Sequence, residues 1–273
     1  MPRFNRVLLF GAVVKAPEFI EENHEFKVTV KTTIGRRRSY DGEMLPVYEY
    51  IKVFAGKEKV LNEIAGWQKN DFVLVDGILC TRYIDKTATC TECGTEVSEK
   101  IIQCYVQPIF AERQRHLEED EIEEVLLSHS TLSNRMELLG AVASEPKLVT
   151  LKPKKYEGKP TTFCQYQIAL NRLYRVKSDP EDRKADFPYV KSYTNAMEDI
   201  YRLRTGTTVF IDGYLQSRTF SKKYFCPTCG TRFQEQHSVM EIVPYHTEYL
   251  EYFNKRDREA DLYTEKETDE EAV

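Results

Sequence analysis

The chain carries two copies of one pattern, and this duplication limits its possible folds more than any other feature. Asn5–Pro17 reads NRVLLFGAVVKAP, and Asn134–Pro146 reads NRMELLGAVASEP. Further on, Asp76-Gly77 precedes the pair Cys90 and Cys93 with Gly94-Thr95, and Asp212-Gly213 precedes the pair Cys226 and Cys229 with Gly230-Thr231. The copies lie 129 residues apart at their starts (5 and 134) and 136 apart at their ends (90 and 226). A separation that stays constant within each stretch implies duplicated structure, with length changes confined to the middle. The cysteine pairs therefore belong to the repeated unit.

A chain of 273 residues suits two ordinary domains. No apolar run approaches the roughly 18 residues needed to cross a bilayer. The short apolar run near the N-terminus is not read as a signal peptide, because its copy at Arg135 lies mid-chain and must be a strand. A cytoplasmic protein is the expectation. Seven cysteines, four of them in two C-x-x-C pairs, then point to metal or thiol chemistry more than to a disulfide framework. The net charge of −5 is unevenly spread: residues 1–110 are neutral, 111–133 carry −5, 134–247 carry +6 and 248–273 carry −6. A neutral and a basic unit, separated and followed by acidic segments, are compatible with a polyanion-binding body. The tail reads as a solubilising end.

Each copy has the same order of elements. In the first, Arg6–Val14, Phe26–Thr33, Tyr48–Phe54, Asp71–Leu79 and Lys100–Phe110 read as strands, with Phe26, Val28 and Val30 alternating against Lys27, Thr29 and Lys31. Lys57–Ala65 has helical spacing and stops at Gly66. Gly35–Gly42, with three arginines, reads as a loop. The second copy repeats this with strands at Arg135–Val142, Phe163–Asn171, Tyr189–Tyr193, Thr207–Leu215 and Ser238–Tyr245, a helix at Asn195–Leu203 and a lysine-rich loop at Lys147–Thr162. Five strands with a helix after the third fit an OB-fold. The expected fold class is all-β: two tandem five-stranded Greek-key barrels at 1–110 and 134–247, an acidic helical linker at 111–133 and an acidic tail at 248–273.

These residues carry a resemblance. Asn5-Arg6-Val7, Gly11, Val13, Pro17, the run from Glu49 to Lys57 and the run from Val75 to Arg82 resemble the bacterial single-stranded DNA-binding proteins. The second copy offers Asn134-Arg135, Gly140, Val142, Pro146, Tyr189-Val190-Lys191 and the run from Ile211 to Arg218. The resemblance implies OB-folds that bind single-stranded DNA without sequence preference, in replication or recombination and alongside other proteins of those processes. The family usually has one barrel per chain and presents four, so two barrels per chain make a homodimer the natural equivalent. This tail ends Glu271-Ala272-Val273 and lacks the family's hydrophobic tip, and the cysteine pairs are not a usual family feature.

Single-strand binding needs cations for phosphates and flat aromatic faces for bases. Tyr50 and Phe54 flank Lys52, and Tyr189 and Tyr193 flank Lys191. By the resemblance, Tyr50 and Tyr189 stand where the family places a stacking aromatic, with Phe220 and Tyr83 near another such position. Arg82 and Arg218 follow the fourth strand, and Arg36, Arg37, Arg172 and Arg175 stand at strand ends or loops. The alternative for any strand aromatic is a place in the core.

One C-x-x-C pair supplies two ligands, and a structural zinc site wants four. The simplest solution lets Cys90, Cys93, Cys226 and Cys229 share one structural Zn²⁺ per chain across the duplication. A site shared between two chains, or redox-active thiols, are the alternatives. No P-loop and no H-E-x-x-H occurs, so an enzyme is not expected. Two other readings are an OB-fold primosome or helicase-loading accessory acting through protein contacts, and an RNA-binding OB module.

Overall fold

The computed structural model describes residues 4–39, 42–56, 58–151, 160–172, 176 and 183–250. The first half comprises β1 (Phe4–Val13), β2 (Glu18–Ile20), β3 (Glu25–Arg38), β4 (Met44–Ala55), α1 (Glu58–Ala65), β5 (Asp71–Thr89) and β6 (Glu96–His116). Two short helices, α2 (Ile122–Ser128) and α3 (Ser130–Ser133), lead onward. The second half comprises β7 (Asn134–Val142), β8 (Lys147–Leu151), β9 (Thr161–Asn171), β10 (Ala185–Asp186), β11 (Tyr189–Ser192), α4 (Ala196–Arg202), β12 (Thr208–Phe225) and β13 (Arg232–Tyr249).

Each half closes on itself. In the first, β1 pairs with both β5 and β3, β3 with β4, β4 in parallel with β6, and β6 with β5. In the second, β7, β9, β11, β13 and β12 form the same ring, again with one parallel contact, between β11 and β13. Both rings are five-stranded OB barrels. Alternate residues fill them: Val7, Leu9, Val28, Val30, Ile51, Val53, Val73 and Val75 in one, and Leu138, Tyr166, Ile168, Val190, Val209 and Ile211 in the other. Burial at about 1.5–3 kcal/mol for each large aliphatic side chain makes these interiors the main source of stability.

The two barrels are joined by pairing of β1 with β7. Asn5 lies opposite Leu138, and Leu9 opposite Asn134. Asn134 and Leu138 are the copies of Asn5 and Leu9, so the pairing is self-complementary, and a pseudo-twofold axis passes between Val7 and Met136. A repeat folded as a pseudo-dimer explains why the opening motif occurs in both copies.

Several strands run further than the sequence pattern indicates. The three arginines stand on the end of β3 after an irregularity between Thr33 and Arg36, not in a loop. Residues 147–151 pair with β9 as β8. The segment 111–116 continues β6, so the linker is helical only from Ile122. Its Leu117, Ile122, Val125 and Leu126 pack on Ala12 and Phe72, outside the first barrel. Strand β13 reaches Tyr249, into the segment read as tail. Lys152, Lys154, Lys155, Lys159, Arg175, Lys177 and residues 251–273 lie outside the described residues.

Candidate nucleic-acid interface and cysteine cluster

The repeated motifs prove to be scaffold. The Asn5 side chain donates to the Leu79 carbonyl at 2.9 Å and accepts the Leu79 amide at 2.8 Å. Asn134 does the same to Leu215 at 2.8 and 3.0 Å. Arg6 forks onto Asp76 at 2.9 and 3.2 Å, and Arg135 reaches Asp212 at 3.0 Å. The Asp-Gly step marks a β-bulge in each barrel, with Gly77 opposite Pro108 and Gly213 opposite Pro244. A Cβ at Gly77 would lie 2.4 Å from the Gln107 carbonyl oxygen, and one at Gly213 2.4 Å from that of Val243. Only glycine fits there.

Beyond the bulges, β5–β6 and β12–β13 continue as long hairpins that pass across to the opposite barrel. Two equivalent latches hold them. Glu49 accepts the Ser217 amide at 2.6 Å and its hydroxyl at 2.8 Å, while the Ser217 Oγ accepts the Tyr50 amide at 2.9 Å. Asp186 accepts the Thr81 amide at 2.6 Å and its hydroxyl at 3.0 Å, while the Thr81 Oγ1 accepts the Phe187 amide at 3.3 Å. Burial pushes the Glu49 carboxyl above its ordinary range, against the pull of the Ser217 bonds.

The latches fix a correspondence that the sequence alignment misses. Glu49 matches Asp186 and Tyr50 matches Phe187. The parallel contacts agree, since Val53 meets Val106 and Val190 meets Ile242. Hence Lys52 matches Tyr189 and Phe54 matches Lys191. The motif-based alignment of Tyr50 with Tyr189 is off by two residues. A slip of two leaves every side chain on its own face, so the alternation gave no warning.

The predicted site residues now separate. Tyr50, Tyr83 and Tyr189 are 48, 49 and 40 % exposed, and Phe187, not anticipated from the sequence, is 44 % exposed. All four lie on the outer surface. Lys100 and Arg183 lie over the Tyr83 ring, 5.7 and 5.5 Å from its centre. Arg36 and Arg37 are exposed, and Arg37 donates to the buried Tyr214 hydroxyl at 2.5 Å. Lys52 is half-buried and donates to the Ser238 hydroxyl at 3.1 Å.

The others are buried or engaged by neighbouring side chains. Phe54 is 1 % exposed, with Tyr105 edge-on at 5.3 Å and the Arg82 guanidinium 3.7 Å above its ring, so it offers no face to a base. Arg82 is also tied to the fully buried Glu25 at 2.6 Å and to Gln103 at 3.1 Å. Lys191 is buried against Glu241 at 2.8 Å, and the same carboxylate takes Arg218 at 3.3 Å. Arg172 is buried in a two-pronged pair with Asp186 at 2.6 and 2.7 Å. Tyr193 is half-buried beside Phe163, and Phe220 half-buried beside His237 and Arg218. An aromatic pair in one barrel, Phe54 with Tyr105, is thus replaced in the other by the ion pair of Lys191 with Glu241. An equivalent arginine serves each.

At the hairpin tips the four cysteines meet. Cys93 and Cys226 sulfurs are 3.5 Å apart, Cys90 and Cys229 sulfurs 3.7 Å, and all four lie within 4.8 Å of one another. A tetrahedron with metal–sulfur bonds of about 2.3 Å has edges of about 3.8 Å, so the donor set is compatible with zinc. The turns are copies: the Cys90 and Cys226 amides reach the Thr95 and Thr231 carbonyls at 2.9 Å, and the Gly94 and Gly230 amides return to the Cys90 and Cys226 carbonyls at 3.0 Å. Both glycines have positive φ, +71° and +73°. The amide of Cys229 draws the Cys226 thiol down to about 6. Ala88, Tyr224 and Phe233 pack beneath as a small separate core. All four sulfurs come from one chain, across the pseudo-twofold.

Comparison with known proteins agrees with this architecture. Residues 133–242 match the model of the single-strand binding protein family. The whole fold is similar to the crystal structure of wild-type single-stranded DNA binding protein from Thermus aquaticus, with a TM-score of 0.56, 15% identity and coverage of 93% of this chain and 96% of that one. A deletion mutant of the same protein gives a TM-score of 0.57 at 16% identity, covering 93% and 98%. No curated protein matches the sequence. No helix among the described residues is long and apolar enough to cross a membrane.

Proposed function

With the second barrel matching the single-strand binding protein family as the premise, we propose that this chain binds single-stranded DNA without sequence preference and shields it in replication or recombination. The observation that carries the reading is the set of exposed rings, Tyr50, Tyr83, Phe187 and Tyr189, set among cations on the outer faces of two OB barrels. Stacking on such faces is worth about 1–3 kcal/mol per base and is indifferent to base identity. Phosphate neutralisation adds a salt-sensitive share.

The cysteine cluster would hold one structural Zn²⁺ through Cys90, Cys93, Cys226 and Cys229. Its chemistry there is cross-linking: it ties the two hairpin tips, which otherwise meet over a very small core. Such a tie would keep the outer faces in fixed relation.

Fluorescence titration with dT and rU oligomers of equal length tests the main reading. We expect tight, salt-sensitive binding to dT and weaker binding to rU. Preference for rU would favour an RNA-binding module. Binding to neither would remove the nucleic-acid reading and leave an OB-fold that works through protein contacts.

A further inference from the structure

The two sides of the seam between the barrels are equivalent in backbone but not in chemistry. On one side stand Tyr50 and Lys52 of β4 with Lys86 of β5. On the other, at the corresponding places, stand Phe187, Tyr189 and Lys222. Lys52 donates to the Ser238 hydroxyl at 3.1 Å, and Lys86 to the Gln236 carbonyl at 2.9 Å. Neither has a carboxylate partner among the described residues, and each ammonium keeps donors to spare. Ser238 keeps its own proton to donate. A small cleft opens between the halves at this point, with Lys52 and Ser238 at its wall and mostly apolar side chains, such as Ile101, Ile102, Val239 and Met240, lining the rest. Lys222, by contrast, is held by both oxygens of Glu99 at 2.5 Å, and Lys52 is replaced by an exposed tyrosine.

We infer that the seam is divided in function: Lys52, Lys86 and Ser238 form a phosphate-binding subsite for the nucleic-acid backbone, and Phe187 with Tyr189 form a base-stacking subsite on the opposite side. Burial, and then the nearby charges of Lys27, Lys86 and Arg82, lower the Lys52 pKa. Lys27 and Arg82 are paired with Glu18 and Glu25, which leaves Lys52 and Lys86 as the cations placed to take an anion. Of the described cations of the second barrel, Arg135, Arg172, Lys191, Arg202, Arg218 and Lys222 are in ion pairs.

The inference rests on the single-strand reading, and one set of titrations separates their failures. Affinity for poly(dT) is measured against salt for the wild type, for the double variant Lys52→Gln with Lys86→Gln, and for the double variant Phe187→Ala with Tyr189→Ala. Each phosphate released from a single strand changes the log–log slope by about 0.7. The lysine variant is expected to flatten the slope by about 1.4, and the aromatic variant to weaken binding at least tenfold with the slope unchanged. Thermal melting of both checks that they fold. A lysine variant with the wild-type slope, or an aromatic variant that flattens it, overturns the division while leaving single-strand binding intact. A wild type that does not bind poly(dT) overturns the reading beneath it.

Discussion

Phe54 and Lys191 occupy one position in two barrels, and neither reaches solvent. In the first barrel the site is filled by rings under an arginine, and in the second by an ion pair beside an arginine. Breaking such a buried pair by removing one partner costs about 3–5 kcal/mol, so Lys191 variants would report on folding before binding. Tyr50 is different, since half of its surface is open. Tyr50→Ala is expected to weaken dT binding by about 1–3 kcal/mol with little change in melting temperature. Phe54→Leu is expected to lower the melting temperature and leave dT affinity within about twofold. Parallel binding and melting curves check both, and equal binding losses would contradict the assignment. Strand alternation correctly put Tyr50, Lys52 and Phe54 on one face. It could not say which of them is covered, because the cover comes from Tyr105 and Arg82 on other strands. Phe187 was missed for a related reason: it lies just before β11, and only the two-residue correction makes it the partner of Tyr50.

At the scale of elements, the positions of the strands were legible, but the full length of the long hairpins was not. The apolar stretches of β5 and β12 stop near Cys80 and Leu215, but pairing continues to Thr89 and Phe225. Those extensions cross the seam, where they touch mainly polar groups until the small core at their tips. Their alternation is therefore faint. The family-like motifs identified the barrels correctly, yet their side chains pin strands and permit bulges and do not face a ligand. The meeting of the cysteine pairs was legible because each copy supplies two of the four sulfurs and the duplication brings them together. The proposed tie has a direct consequence. Metal analysis of purified protein should find about one zinc per chain, and removing it with a chelator should lower the melting temperature. Protein without metal, with all four thiols freely reactive, would contradict it. Separately, a double variant Cys90→Ser with Cys93→Ser should lose the metal altogether, since two sulfurs alone do not make a structural site.

As a whole molecule, the chain is a pseudo-dimer written into one sequence. The β1–β7 pairing, the crossed latches at Glu49 and Asp186, and the cysteine cluster join the barrels at three separate places. The joint at β1–β7 is paired along six residues of each strand, and the latches bury two carboxylates at their receiving strands. Such a body carries exposed rings on both of its barrels. Single OB folds occupy about 4–16 nucleotides, so a chain using both barrels should cover about twice the length that one barrel covers. The measurement that tests this most directly is the binding stoichiometry of the full chain with dT oligomers of increasing length. The account predicts two short oligomers per chain, falling to one when a single oligomer is long enough to reach both barrels. One oligomer per chain at every length would show that only one barrel binds, and would contradict it.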